Sequence, residues 1–207
     1  MSARDEILSA IRRNRPSATI ELPQDRDFAA PAALDLIARF GASLTQMGGK
    51  LLSPAPGEDP LQPAHDMIVQ AGIVCSMVPE LPGNRTLAGA VPASLHDVEL
   101  AVLRAHFGVA ETGSVALLAA DLGVNALGYL AQRLLILLDP ADIVENLHHA
   151  YRRPEFDQGH YLVLQTGPSA TADIEGVLIH GAQGVRALSV LLAKRYPGPR
   201  GATDPVS

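Results

Sequence analysis

Apolar positions along the chain form two patterns, which predict short buried strands alternating with amphipathic helices. Continuous apolar runs, typical of strands buried on both faces, occur at 73–78, 134–138 and 187–193, and a shorter strand is expected at 50–53. Helical spacing links Leu36, Phe40 and Leu44, in a helix expected to begin at Pro31 and end at Gly48. A second helix is expected from Ala64 to Ala71. This alternation predicts an α/β domain with a mainly parallel sheet and helices on its faces.

The pattern near the N-terminus differs from the rest and predicts a helical arm. Ser2 precedes two acidic residues and an apolar stripe, and Arg12 and Arg13 follow, so an N-cap and a favourable charge order are present. Residues 15–30 show no period and predict a linker. We therefore divide the chain into a helix and linker at 1–30, an α/β domain at 31–196 and a flexible tail at 197–207.

Two stretches in the second half of the chain need a choice between helix and strand. Residues 98–109 are interpreted as one strand, and the turn Glu111-Thr112-Gly113-Ser114 is expected to join it in a hairpin to a strand at 115–118. Asp139 followed by Pro140 predicts the start of a helix, whose buried stripe would contain Ile143, Val144, Leu147 and Tyr151. Another strand is expected at 161–165.

Composition excludes several classes of function. The 207 residues are 47% hydrophobic, enough for one well-filled core, and the net charge of −6 offers no basic surface for nucleic acid. No apolar run reaches the length of a membrane span or resembles a signal peptide, so we expect a cytoplasmic protein. A single cysteine, Cys75, cannot supply the thiolates of an iron–sulfur cluster. The seven histidines show no metal-binding motif, so no metal site is expected in this chain.

Two glycine-containing segments are candidate ligand loops. In the first, Gly167 follows a strand and precedes Ser169, Thr171 and Asp173, so backbone N–H groups and hydroxyls could hold an anion. The alternative is that Ser169 or Thr171 caps a short helix whose dipole Asp173 complements.

The second candidate loop has its own structural alternative. Gly181 and Gly184 can adopt positive φ, and Arg186 could grip a carboxylate or phosphate with two nitrogens. The alternative is an ordinary surface loop in which Arg186 pairs with Asp173 or Glu175.

Glu111 is the candidate for covalent or acid/base chemistry. It stands in a turn with Thr112 and Gly113, where the absence of a side chain at the glycine leaves room for a substrate. A glutamate in a turn is otherwise simply solvated. Cys75 lies within an apolar strand, where a thiol usually behaves as a small inert hydrophobe.

Three motifs together resemble a known family. The segments 107–114 (FGVAETGS) and 166–175 (TGPSATADIE), followed by Gly181-x-x-Gly184-x-Arg186, resemble the LUD-domain family of the lactate-utilisation protein C type (LutC/YkgG). Residues 4–12 are similar to that family's N-terminal arm. The resemblance implies a three-layer fold of the NagB/RpiA/CoA-transferase type. It also implies a part in oxidising L-lactate to pyruvate alongside iron–sulfur partner proteins, which agrees with the cysteine count.

The chain departs from the family at two places. Gln183 and Val185 stand in the last glycine loop, where many members have Gly-x-His-Gly-Pro-Arg. Leu130-Ala131-Gln132-Arg133 stand where members have Pro-Pro-x-His. The chain thus lacks those imidazoles, which implies a different ligand or a scaffold role.

Three functions remain open: a subunit of a lactate-oxidation complex that binds a small anionic metabolite, a CoA-transferase-like enzyme with Glu111 as nucleophile, and a metabolite sensor without catalysis. For the first, we expect one cleft at the strand ends, where ligands of open α/β sheets bind. It would be lined by Glu111, Thr112, Gly113, Gly167, Ser169, Thr171, Asp173, Gly181, Gly184 and Arg186.

Overall fold

Helices and short strands alternate along the chain, as the apolar pattern predicts. The structure, a computed structural model, describes residues 2–16, 35–156, 161–172 and 177–195. The helices are α1 (Ala3–Arg13), α2 (Leu36–Gln46), α3 (Gln62–Val69), α4 (Ala119–Leu122), α5 (Leu127–Leu130) and α6 (Leu147–Tyr151). The strands are β1 (Lys50–Leu52), β2 (Val74–Ser76), β3 (Leu100–Arg104), β4 (Phe107–Val109), β5 (Ser114–Leu118), β6 (Arg133–Leu138), β7 (Ile143–Val144), β8 (Leu162–Gln165), β9 (Ala170–Thr171), β10 (Ile179–His180) and β11 (Ala187–Leu192).

Five strands form the central sheet, in the order β1-β11-β6-β3-β2. All four pairings are parallel. Parallel strands are joined by crossovers that cover both faces of a sheet, which explains why the residues of β6 from Leu134 to Leu138 are all fully buried. The predicted α/β class with a mainly parallel sheet is confirmed.

Three layers enclose the core. On one face of the central sheet, Phe40 and Leu44 of α2 and Val115 and Leu117 of β5 pack against β3, β6 and β11. On the other face, Ala64 of α3 packs with alternate residues of the same strands. The second sheet, in the order β7-β4-β5-β8, therefore shares its layer with α2. Its outer face packs against Ala150 of α6.

The prediction of one continuous strand at 98–109 is wrong, because the segment forms two strands, β3 and β4. Ala105 N–H donates to Leu137 O of the central sheet, whereas His106 N–H donates to Ala116 O of the second sheet. Neighbouring residues thus belong to different sheets, and β3 ends where β4 begins a second layer. The hairpin expected after it is confirmed, with β4 and β5 paired antiparallel from Phe107 opposite Ala116 to Val109 opposite Ser114.

The helix predicted to start after Asp139 is also wrong. Pro140–Asp142 is a 3₁₀ turn, Ile143–Val144 is strand β7 and only Leu147–Tyr151 is helical. Ile143 and Val144 pair with Gly108 and Val109 of β4. The β-branched residues of the expected helical stripe are therefore part of the second sheet.

The helix expected to begin at Pro31 begins at Leu36. Asp35 has extended backbone, and its side chain accepts hydrogen bonds from the N–H groups of Ile37 and Ala38, so it is the N-cap. Pro31, most of the expected linker and the tail at 197–207 lie outside the described residues. Asp173 and Glu175 lie outside them as well. In the part of the chain that is described, no helix is both long and apolar enough to cross a membrane.

Candidate functional site

The candidate loops lie towards one edge of the central sheet, the amino edge, where its strands begin. The loop at 181–186 leads directly into β11, and Arg186 N–H donates to the carbonyl of Gln132, the residue before β6. Ser169 N–H donates to the carbonyl of Val185. The cleft was expected where ligands of open α/β sheets bind, which is outside the carboxyl ends of the strands. The observed loops lie at the opposite edge.

Two glycines let neighbouring segments pack closely on the end of α2: Gly113 in the hairpin turn and Gly167 in the loop after β8. Gly113 has a φ of 68° and lies so close to the backbone of Leu44 that a side chain would collide with it. Gly167 has a φ of 64° and lies equally close to the carbonyl of Met47. Ser43 Oγ adds a 2.8 Å hydrogen bond to the carbonyl of Ala110. The C-terminal half of α2 therefore brings the two motifs together.

Three hydroxyls form a chain between these motifs. Thr112 Oγ1 lies 2.7 Å from Ser114 Oγ, which in turn lies 2.6 Å from Thr166 Oγ1. Ser114 is buried, so its hydroxyl is shielded from water and held in place by its neighbours. The chain links the first residue of β5 to the residue after β8, which the antiparallel pairing of these strands places side by side.

Glu111 is exposed, but its carboxylate has a structural partner. Oε2 accepts a 3.1 Å hydrogen bond from Leu147 N–H, the first N–H of α6, and Glu111 N–H donates to the carbonyl of Glu145. A carboxylate at the start of a helix satisfies an N–H group that has no partner within the helix. Glu111 thus joins the hairpin turn to α6.

A cavity of about 520 Å³ lies between the hairpin turn, α2 and α6. Glu111 and Thr112 are the two predicted site residues that line it. None of its lining residues carries a positive charge, so among the described residues the cavity offers hydroxyls, an amide and one carboxylate. The lining residues are Ser43, Gln46, Met47, Glu111, Thr112, Ser114, Leu147, Tyr151, Leu164 and Thr166.

The other predicted site residues form a neighbouring group. Gly181 N–H donates to the carbonyl of Ser169, and Gly184 lies against the same serine side chain. The side chain of Arg186 is exposed and makes no hydrogen bond or ion pair within the described residues. Gly48 connects the group to the end of α2, because it lies beside Pro168 and His180.

The short helix considered after Gly167 is not formed at Thr171. Ala170 and Thr171 make up β9, which pairs antiparallel with β10. Thr171 is therefore held by strand pairing rather than serving as a helix cap. Asp173, the remaining predicted ligand contact, lies outside the described residues.

Sequence reasoning missed Ser114, Thr166 and the residues supplied by α2. Ser114 and Thr166 could have been noticed, since each belongs to one of the motifs that resemble the family. Their contact, however, depends on the register of β5 against β8. Nothing in the sequence marks Gln46 and Met47 as site residues, because only the packing of α2 brings them to the cavity.

Cys75 is buried in β2, and burial raises the pKa of its thiol. A raised thiol pKa disfavours the reactive thiolate. No three His, Cys, Asp or Glu residues come together as metal ligands within the described ranges.

Comparison with known proteins identifies the family. The LUD domain model matches residues 90–193, half of the chain, and this range contains the hairpin and both glycine loops. A similar solved structure is that of a DUF162 family protein from Deinococcus radiodurans, with 16% identity and a TM-score of 0.55 over 76% of this chain and 96% of that chain. At this identity the likeness concerns the fold alone. No curated protein sequence matches the chain. From the match over half of its length, the chain belongs to the LUD domain family.

Proposed function

We propose that this chain is a LutC-like subunit that takes part in oxidising L-lactate to pyruvate together with iron–sulfur partner proteins. Membership of the LUD domain family, which is associated with lactate utilisation, supports this context. The chain would act mainly as a scaffold in such a complex. Arg186, Ser169 and Thr171 are the proposed contacts for a small carboxylate.

The chemistry of the reaction requires partners. Oxidation of lactate to pyruvate releases two electrons and two protons, and the electrons need an acceptor. This chain has one cysteine, which is buried, whereas the common iron–sulfur clusters are held by four protein ligands. The cluster ligands would therefore come from other chains.

One observation carries the proposal: an exposed apolar segment, Val177, Leu178 and Ile179, lies within the matched domain beside the loop at 181–186. All three side chains are more than half exposed. Within the described residues, β10 pairs only with β9, so the other edge of this two-stranded ribbon has no strand beside it. Exposed apolar residues on a free strand edge mark a site of association.

The test is reconstitution with the iron–sulfur proteins of a lactate-oxidation system. The wild-type chain should co-elute with them, and lactate-dependent reduction of a dye should require it. Leu178→Glu combined with Ile179→Glu should abolish co-elution. The control is Val69→Glu on α3, where an even more exposed apolar residue lies outside the matched domain. The proposal is rejected if the wild-type chain elutes alone or if dye reduction is the same without it.

In this proposal Glu111 has a positioning role. One oxygen of Glu111 already accepts the N–H of Leu147. The hydrogen bond favours a role in orienting α6 at the cavity.

A further inference from the structure

A second cavity lies at the opposite edge of the central sheet, the carboxyl edge, where its strands end. Its volume is about 670 Å³. It lies beyond the last residues of β3 and β11, so it has the usual location for ligands in open α/β sheets. Neither the predicted site residues nor the proposed function involves it. Its lining residues are Asp59, Pro60, Leu61, Glu80, Arg104, Pro140, Leu192, Ala193, Lys194 and Arg195.

Half of this lining is apolar, and the rest is charged. The apolar part consists of Pro60 and Leu61 after β1, Pro140 after β6, Leu192 at the end of β11, and Ala193. An apolar wall beside charged groups suits a small molecule that has an apolar body and a charged end.

Arg104, the last residue of β3, is a partly buried charge of the cavity. Its side chain is 20% exposed, and Nη2 is paired with Glu80. Nη1 is buried and has no hydrogen-bond partner. A guanidinium group holds carboxylates well, and the carboxylate that Arg104 holds in this structure is that of Glu80.

Lys194 provides a second positive charge at the mouth of the cavity. It is exposed and makes no hydrogen bond or ion pair within the described residues. Arg195, in contrast, is already held by the carboxylate of Asp142 and by the carbonyls of Ala105 and His106. Arg104 and Lys194 are thus the cations available to a ligand.

We propose that the carboxyl-edge cavity binds a small amphipathic carboxylate, whose charged end lies between Arg104 and Lys194 and whose apolar body lies against Leu61, Pro140 and Leu192. In the structure, the carboxylate of Glu80 occupies the place of such a ligand on Arg104. Glu80 would therefore compete with the ligand, and removing its charge would strengthen binding.

Lysine labelling tests the site directly, because the chain contains two lysines, Lys50 and Lys194. Lys50 begins β1 at the amino edge and is the internal control. The probe is hexanoate, with hexanamide as its uncharged counterpart, and acetylation of each lysine is followed by mass spectrometry. Hexanoate should slow the labelling of Lys194 at least threefold and leave Lys50 unchanged, because a paired ammonium group is less reactive. Hexanamide should have no effect.

Variants identify the residues responsible. Glu80→Gln should lower the hexanoate concentration needed for half-maximal protection at least threefold, and Arg104→Gln should abolish protection. If Arg104→Gln does not fold, the protection of Lys194 in the wild type and in Glu80→Gln still tests the proposal. The proposal fails if Lys194 is not protected at 10 mM hexanoate, if Lys50 is protected equally, or if hexanamide protects as well. None of these outcomes depends on the iron–sulfur partners of the proposed function.

Discussion

At Gly113, two separate requirements exclude a side chain. The backbone is in the left-handed region, and the backbone of Leu44 occupies the space where a Cβ would lie. The first requirement costs an L-residue roughly 1–2 kcal/mol. The second cannot be met unless α2 moves away from the hairpin turn, which would open the cavity beside it.

We predict that Gly113→Ala lowers the free energy of unfolding by about 3 kcal/mol or more, since strain and a backbone collision add. Gly57→Ala is the matched control, because Gly57 also has positive φ but no atom lies within 4 Å of the position that its Cβ would occupy. The control should lose only about 1 kcal/mol. Urea unfolding followed by circular dichroism measures both, and equal losses would contradict the close packing of the turn on α2.

Individual site residues could be predicted when one motif contained them, but not when they depended on a contact between motifs. Gly113 and Gly167 stand out because a tight turn favours glycine at positions with positive φ. Ser114 and Thr166 meet because β8 pairs with β5 in one register. A shift of that register would separate them, and the sequence of neither strand determines it alone.

At the scale of elements, residues 139–156 show how tertiary pairing overrides a local pattern. The segment has the capping residue and spacing of a helix, yet Ile143 and Val144 pair with β4. Backbone pairing with a buried strand and burial of Ile143 outweigh a helical preference that is weak for β-branched residues. The buried strands β6 and β11 were easier to predict, since continuous apolar runs need no partner to be recognised.

The end of this segment is held by Arg153 and Glu155. Arg153 donates from Nε and Nη2 to the two carboxylate oxygens of Glu155, at 3.2 and 2.9 Å, and its guanidinium lies 4.8 Å from the centre of the Phe107 ring. His106 Nδ1 lies 3.8 Å from the same carboxylate. The paired arginine holds the pKa of Glu155 below its usual value of 4.5. The ion pair thus joins the chain after α6 to β4.

We predict that Glu155→Gln destabilises the protein by about 2 kcal/mol at pH 7, the typical value for hydrogen bonds to a charged group. A lowered pKa means that this stabilisation is present above pH 4.5 and is lost as the pH falls through the folded-state value. Urea midpoints at pH 7, 5 and 3 should therefore show the difference between variant and wild type shrinking at the lowest pH. Arg153→Met should give a similar loss that is not additive with it, and a difference independent of pH would refute the assignment.

For the molecule as a whole, the two edges of the central sheet have different chemistry. The lining of the amino-edge cavity offers hydroxyls and one carboxylate and no cation, whereas the carboxyl-edge cavity has three cations, Arg104, Lys194 and Arg195, beside the carboxylates of Asp59 and Glu80. The parallel sheet could be predicted from the sequence, because alternation of helices and strands determines it. The edge of the loop at 181–186 could also be predicted, because that loop precedes a predicted strand. The edge of the loop after β8 could not, because β8 pairs antiparallel with β5 in the second sheet and not with the central strands.

The N-terminal helix α1 is the element that the sequence predicts to be an arm outside the α/β domain. It forms a full capping box between Ser2 and Asp5, and none of its residues is buried. Ile7 and Ile11, on its apolar stripe, are both 60% exposed. A helix that buries nothing adds little to the stability of the domain, whatever its own helical tendency. These features agree with an arm rather than a part of the core.

Replacing both isoleucines by serine should therefore change the free energy of unfolding by no more than about 0.5 kcal/mol, the usual range for surface substitutions. Phe40→Ala is the contrast, because Phe40 is fully buried in the core and its loss should cost about 3–5 kcal/mol. Denaturant unfolding at low protein concentration measures both variants in the complete chain. A loss of several kcal/mol in the serine variant would mean that α1 covers part of the domain and is no free arm. An unchanged value means that the apolar stripe of α1 contributes nothing to the stability of the domain.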